Sequence, residues 1–234
     1  IVHGGGKEVT DMADRLNISS RFIDGQRYTD EKTMEVVQMV LAGKTNKDIV
    51  ARINRHHGEA VGLCGIDANL LTVEKISENG SDLGLVGRII DVNTSYLRLL
   101  LEHSIMPVIA PIGVDGDCRA FNINADNAAS AVAIALRAEK LVYLSDVEGV
   151  KAAGELVHSI DHREAERLID EKIITNGMIP KISSASTALA GGVNKVHLID
   201  GRVKHSLLLE IFTDAGVGTE LIRTSYPKPV EAFV

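Results

Sequence analysis

Short apolar runs alternate with helix-periodic stretches along most of this chain, and the runs tend to end in glycine or Asx turns. That alternation limits the fold more than any other feature. Val, Ile, Leu and Ala supply the runs, whereas aromatics amount to 3% with no Trp. A core of branched aliphatics punctuated by 21 glycines suits strands alternating with helices, an α/β fold with an open, mainly parallel sheet. Strands are expected at 60–64, 71–73, 85–92, 106–110, 140–144 and 196–199. Helices are expected at 8–16, from Thr29 or Asp30 to a stop at Gly43, from a cap at Asn46, from Asn93 or Thr94, and over 126–137, 161–170, 179–190 and 205–212. Asp24-Gly25, Val114 to Asp117 and Asp200-Gly201 read as turns, and the end of the chain, with Pro227 and Pro229, as irregular.

Charge and cysteines narrow the function classes. Lys plus Arg is 25 against 32 for Asp plus Glu, a net charge of −7 with no basic cluster, which argues against nucleic-acid binding. No apolar run approaches the roughly 18 to 20 residues needed to span a bilayer. Cys64 and Cys118 lack metal-ligand spacing and read as buried thiols of a reducing interior. The cytoplasm is the default location, and a plastid is compatible with a transit peptide upstream. The chain begins at Ile1 rather than Met, so part of a domain is expected to precede it.

Several signatures fail on inspection. Gly43-Lys44-Thr45 looks like the end of a phosphate loop, but Gln38 stands where the first glycine belongs, and the tripeptide reads as a helix stop. Gly4 and Gly6 are followed by Val9 at the third dinucleotide-fingerprint position. His56-His57 has no carboxylate at metal spacing, and Asp146-Val147-Glu148-Gly149 lacks the rest of a calcium loop. Three segments remain. Gly4-Gly5-Gly6 follows a strand and can bring backbone N–H groups close to an anion, or can be a plain tight turn. Asn122-Ile123-Asn124-Ala125-Asp126 sets three polar residues at alternate positions before an apolar helix; Asp126 could be its cap, which leaves Asn122 and Asn124 unexplained. In Gly177-Met178-Ile179-Pro180-Lys181 a cation occupies the positive end of a helix, where a nearby anion would account for it.

These segments, with Gly25-Gln26-Arg27-Tyr28-Thr29 and Ser145-Asp146-Val147-Glu148-Gly149-Val150, occur in an order that strongly resembles the acetylglutamate kinases of the amino acid kinase family. The resemblance runs from Ile1 to about Arg223. It implies a three-layer α/β/α sandwich over 1–223, with an irregular tail at 224–234. It implies phosphorylation of the side-chain carboxylate of N-acetyl-L-glutamate by ATP with Mg2+, the second step of arginine biosynthesis. In that pattern the N-terminal part takes acetylglutamate through Gly4, Gly5, Arg27, Asn122 and Asn124. Lys181, Asp126 and Gly5 carry catalysis, and the C-terminal part takes ATP through Asp146, Val147, Gly149, Gly177, Met178 and Lys181. No residue is assigned as a metal ligand, since Mg2+ would bridge the nucleotide phosphates.

The resemblance also departs from the pattern and extends beyond it. A glycine-flanked lysine of the family's first strand is expected upstream of Ile1, along with that strand and a helix. Lys7 stands where a proline is common. His197, Glu210 and Gly216 resemble the arginine site of inhibited members, so arginine is implied as an inhibitor. A homodimer or hexamer is implied, and a nitrogen-signalling PII-type partner is compatible with it. Two alternatives keep the same fold: a catalytically silent amino-acid-sensing module, and a sister kinase for acetylaminoadipate or carrier-bound glutamate.

Overall fold

The computed structural model describes residues 1–23, 25–78, 81–175, 177–212 and 216–223. Asp24 of the expected turn, Thr213 and the expected tail 224–234 lie outside them. The chain divides into two compact units, Ile1–Leu136 and Arg137–Val234.

In the first unit, α1 (Gly6–Arg15) is followed by the small hairpin β1 (Phe22–Ile23) and β2 (Gln26–Arg27). Then come α2 (Glu31–Gln38), α3 (Asn46–Arg55), β3 (Ala60–Cys64), β4 (Leu71–Glu78), β5 (Ser81–Val92) and α4 (Thr94–Glu102). The unit ends with β6 (Met106–Ala110), β7 (Ile112–Val114), β8 (Ala120–Asn122) and α5 (Ala125–Leu136). Strands β3 and β6 pair in parallel, and Val2 bridges in parallel to Ile109 of β6. Strands β4, β5, β8 and β7 close on themselves through two antiparallel pairs and two parallel bridges.

Alternation along β3 and β6 feeds two cores. Cys64 and Ala110 join Val9 and Ala13 of α1 and Val36 and Val37 of α2, while Leu63 and Ile109 join Leu97 of α4 and Ala128 and Val132 of α5. Helices therefore cover both sides of these strands, as the expected α/β layering requires. Each fully buried large side chain, such as Phe121, Leu70 or Leu97, stabilises the fold by about 1.5–3 kcal/mol.

Four expectations are corrected. Gly43 does not stop a helix: α2 runs through π-helical turns at Met39–Thr45 directly into α3. Asn46 accordingly caps nothing. The wider i→i+5 winding lets Leu41 and Asn46 share an inward face, and both are buried. Cys118 is exposed, because it sits in the β7–β8 turn at φ 61° rather than at the end of an apolar run. Asp126 is not the cap of α5: Asn124 takes that place, its side-chain oxygen accepting from the N–H groups of Asp126 and Asn127 at 2.9 and 3.1 Å.

Asn46 explains a glycine in the neighbouring strand. A Cβ on Gly62 would stand 1.8 Å from the Asn46 side-chain oxygen. Gly62→Ala should therefore destabilise the protein by about 1–3 kcal/mol. Urea unfolding would read this as a lower midpoint at unchanged slope, and an unchanged midpoint would mean that Asn46 can yield.

In the second unit, β9 (Lys140–Ser145) precedes the hairpin β10 (Lys151–Ala152) and β11 (Glu155–Leu156), then β12 (Ser159–Asp161) and α6 (His162–Asp170). After α7 (Met178–Ala190) come β13 (Lys195–Asp200), α8 (Ser206–Phe212) and β14 (Thr219–Ile222). The sheet order is β12-β14-β13-β9, parallel except where β14 meets β13. Among the described residues no helix is long and apolar enough to cross a membrane.

Candidate functional site

A cleft of about 240 Å³ in the first unit collects residues from four separate stretches of chain. Gly4, Gly5 and Gly6 come from the start of α1, Gln26 and Arg27 from β2, Asn122 from β8, and Asn124 and Ala125 from the start of α5. All five residues expected to hold the substrate thus line one cleft.

Arg27 is buried, at 8% exposure, and its guanidinium is fixed from several sides. One nitrogen donates to Ser20 Oγ at 2.8 Å, and the other to the Gly6 carbonyl at 2.8 Å and Thr10 Oγ1 at 2.7 Å. The Phe22 ring lies beneath it, 4.7 Å from centroid to Cζ. Among the described residues no carboxylate pairs with Arg27, so every hydrogen-bond partner is neutral. Burial lowers its pKa, with Asp14 opposing at longer range. A desolvated cation held by neutral oxygens retains most of its attraction for an anion entering the cleft.

Asn122 is tied to the same strand through Thr29. Its amide donates to Thr29 Oγ1 at 3.2 Å, and that fully buried hydroxyl donates to the Arg27 carbonyl at 3.0 Å. Gly4 packs against the first turn of α5, where an added Cβ would meet Ala125 Cβ at 3.6 Å. Gly5 is the N-cap of α1 and offers no side chain to it. The N–H groups of that first turn therefore have no capping side chain as acceptor beside the cleft, an arrangement suited to anions.

The second unit has its own cleft, of about 380 Å³. Val147, Ile173, Ile174 and Met178 give it apolar surface, and Asp146, Glu148, Lys151 and Arg202 give it charge. Gly149 also lines it, and its position is close-packed: a Cβ there would lie 2.6 Å from Thr219 Oγ1. Arg202 is held by both oxygens of Asp200, at 2.8 and 2.9 Å for the closest contacts. Of the expected nucleotide residues, Asp146, Val147, Gly149 and Met178 are brought together here. Gly177 is the N-cap of α7, and Lys181 stands half-buried within that helix. Neither lines the cleft, and Asp126, the second residue of α5, lines neither cleft.

His197, Glu210 and Gly216 also come together within this unit. His197 Nδ1 lies 2.7 Å from Glu210 Oε1, with both side chains buried. Glu210 Oε2 accepts from the N–H groups of Val217 and Gly218 at 2.6 and 3.1 Å. Burial pushes the Glu210 carboxyl upward, but the Val217 N–H, His197 and the Gly218 N–H outweigh it, and the group titrates below its ordinary range.

Sequence reasoning missed Thr10 and Ser20, which had no signal, being polar residues of a helix and a loop. It read Thr29 only as a possible helix cap and gave no role to Gln26, although both stand in the quoted Arg27 motif.

A profile of the Amino acid kinase family matches residues 1–200. The acetylglutamate kinase of Chlorobaculum tepidum is 51% identical over 229 residues, covering 98% of this chain and 80% of its own length. That of Aquifex aeolicus is 51% identical over 236 residues, covering 94% and 79%. Among solved structures, N-acetylglutamate synthase from Neisseria gonorrhoeae complexed with coenzyme A and N-acetyl-glutamate superposes with a TM-score of 0.86 at 30% identity, covering 96% of this chain and 51% of that one. The same synthase complexed with coenzyme A and L-arginine gives 0.80 at 28% identity, covering 94% and 52%.

Proposed function

Because the chain belongs to the acetylglutamate kinases of the amino acid kinase family, we propose that it transfers the γ-phosphoryl group of ATP to the side-chain carboxylate of N-acetyl-L-glutamate. A carboxylate oxygen attacks phosphorus, the bond to the β-phosphate oxygen breaks, and ADP leaves with that electron pair. The product is N-acetylglutamyl 5-phosphate, the second intermediate on the route to arginine. The observation that carries this reading is Arg27, a buried guanidinium held only by neutral oxygens in a cleft lined by glycine N–H groups.

Transfer between two anions is catalysed mainly by positioning and charge neutralisation. Arg27, with the Asn122 amide, would hold the α-carboxylate of the acceptor, a task that suits a guanidinium fork. The Gly4 and Gly5 N–H groups would face the reacting carboxylate and phosphoryl oxygens. Asn124 supports these contacts by fixing the start of α5. Lys181 would neutralise charge on the transferring phosphoryl, with Asp126 orienting the lysine. The second unit's cleft fits a nucleotide in its chemistry, with apolar surface from Val147 and Met178 for a base and Lys151 and Arg202 for anionic groups. Mg2+ would supply charge neutralisation on the phosphates, keeping mostly phosphate and water oxygens as it usually does. Arginine as an inhibitor belongs to the same reading, supported by the His197–Glu210–Gly216 cluster and by the likeness to the arginine-complexed synthase.

The test is direct. The protein incubated with MgATP and N-acetylglutamate should yield a hydroxamate when the acyl phosphate is trapped with hydroxylamine, and L-arginine should lower the yield. No hydroxamate above the enzyme-free blank would reject the kinase reading and favour a silent sensing module. Turnover only with acetylaminoadipate would favour the sister kinase. A yield unaffected by arginine would reject the inhibitory part alone.

A further inference from the structure

Asn46 is fully buried at the end of the π-helical turns, far in sequence from the glycine loop, yet it reaches that loop through one imidazole. Its amide nitrogen lies 2.8 Å from the Val108 carbonyl, 3.2 Å from His3 Nε2 and 3.3 Å from the Leu63 carbonyl. His3, itself buried, has Nδ1 2.8 Å from the Gly4 carbonyl oxygen. A carbonyl only accepts, so Nδ1 carries the ring proton and Nε2 presents a lone pair. A lone pair is what an amide N–H requires. The bonds therefore run in one direction, from Asn46 to the imidazole and from the imidazole to Gly4.

The consequence for Gly5 follows from peptide geometry. The described chain has no cis peptide bonds, so the Gly4 carbonyl and the Gly5 N–H share a trans plane and point in opposite directions. Holding the carbonyl on His3 turns the Gly5 N–H away from the ring. The π-helical segment also supports Gly5 itself: a Cβ there would meet Leu41 Cδ2 at 2.6 Å and Thr45 Oγ1 at 3.6 Å.

We propose that Asn46 is a positioning residue for phosphoryl transfer, acting through His3 to lock the Gly4–Gly5 peptide with the Gly5 N–H presented to the reacting oxygens. This rests on the kinase reading above. Two substitutions of His3 separate positioning from packing. Asparagine places its amide nitrogen near the site of Nδ1 and can still donate to Gly4, whereas glutamine reaches the site of Nε2 and cannot.

The expected kcat loss is about 5- to 10-fold for His3→Asn and at least about 50-fold for His3→Gln, with KM for MgATP within about threefold in both. Asn46→Ala should lower kcat by about 5- to 10-fold alone but by no more than about twofold in the His3→Asn background, because the connecting ring is already gone. Equal losses in the two His3 variants, or additive losses with Asn46→Ala, would overturn the proposal. An activity-free readout accompanies the kinetics: ¹⁵N imidazole shifts of the wild-type chain, with the His3 signal assigned by its disappearance in His3→Asn. They should show Nδ1 protonated and Nε2 bare, and an Nε2–H tautomer would overturn the proposal even if both His3 variants misfold. A wild type that makes no hydroxamate would reject the kinase reading and this role with it. Equal losses in an active enzyme would reject the role alone.

Discussion

Arg27→Ala should lower kcat/KM for N-acetylglutamate by about 10²- to 10³-fold, with KM for MgATP unchanged within about threefold. The size reflects where the guanidinium sits. A surface arginine contributes little to binding, because water screens it and its side chain loses entropy on pairing. Arg27 is already desolvated and already ordered by Ser20, Thr10, the Gly6 carbonyl and the Phe22 ring. Acceptor binding therefore gains from the charge without having to order the side chain. Losing a charge-assisted, bidentate contact of this kind costs about 3–4 kcal/mol, which is the stated range in kcat/KM. Arg27→Lys keeps the charge but not the fork, and should recover about tenfold at most. Steady-state kinetics with acetylglutamate varied at saturating MgATP would measure both. If Arg27→Ala kept its kcat/KM for acetylglutamate, or lost it through KM for MgATP, the assignment of the acceptor carboxylate to Arg27 would be wrong.

Glu210→Ala should destabilise the protein by about 3–4 kcal/mol at neutral pH, the largest stability effect expected of any single substitution considered. The carboxylate does more than pair with His197. It also closes the 216–218 segment through the Val217 and Gly218 N–H groups, and its removal strands all three donors in a buried setting. The pH dependence has a definite sign. A carboxyl held below its ordinary value of 4.5 contributes stability that is complete above that pH and is lost as pH falls through the lower, folded value. The difference between wild type and Glu210→Ala in urea midpoint should therefore be constant from pH 6 to 7 and shrink below about pH 4.5. A gap that widened in acid would contradict the arrangement.

How legible these features were depended on whether the deciding interaction was local. Strands β3 and β6 match their expected ranges residue for residue, because each is an apolar run closed by turn residues on both sides. Asp30, Asn93 and Asp161 cap their helices as expected, since a cap is a contact three residues long. The members of the first cleft were legible only through motif order, and no periodicity would have joined Gly4, Arg27 and Asn122. The π-helical turns could not be seen at all. A reading based on 3.6-residue spacing takes Gly43 as a stop, whereas burial of Val40, Leu41 and Asn46 keeps the chain winding. Short strands such as β12 and β14 escaped for a related reason: three or four residues do not display a period, and their partners are distant in sequence.

The π-helical turns also make chain length at 39–45 a quantity that counts. Most surface connections absorb an inserted or deleted residue because nothing beyond them depends on phase. Here a deletion of one residue would restore ordinary winding and improve the helix locally. It would also rotate everything after it by about 100° relative to α2, since an α-helix turns that far per residue. Asn46 would leave the inner face while Ile49, Val50 and Ile53 of α3 changed theirs. In this segment the spacing between residues is itself inherited information, as much as their identities are.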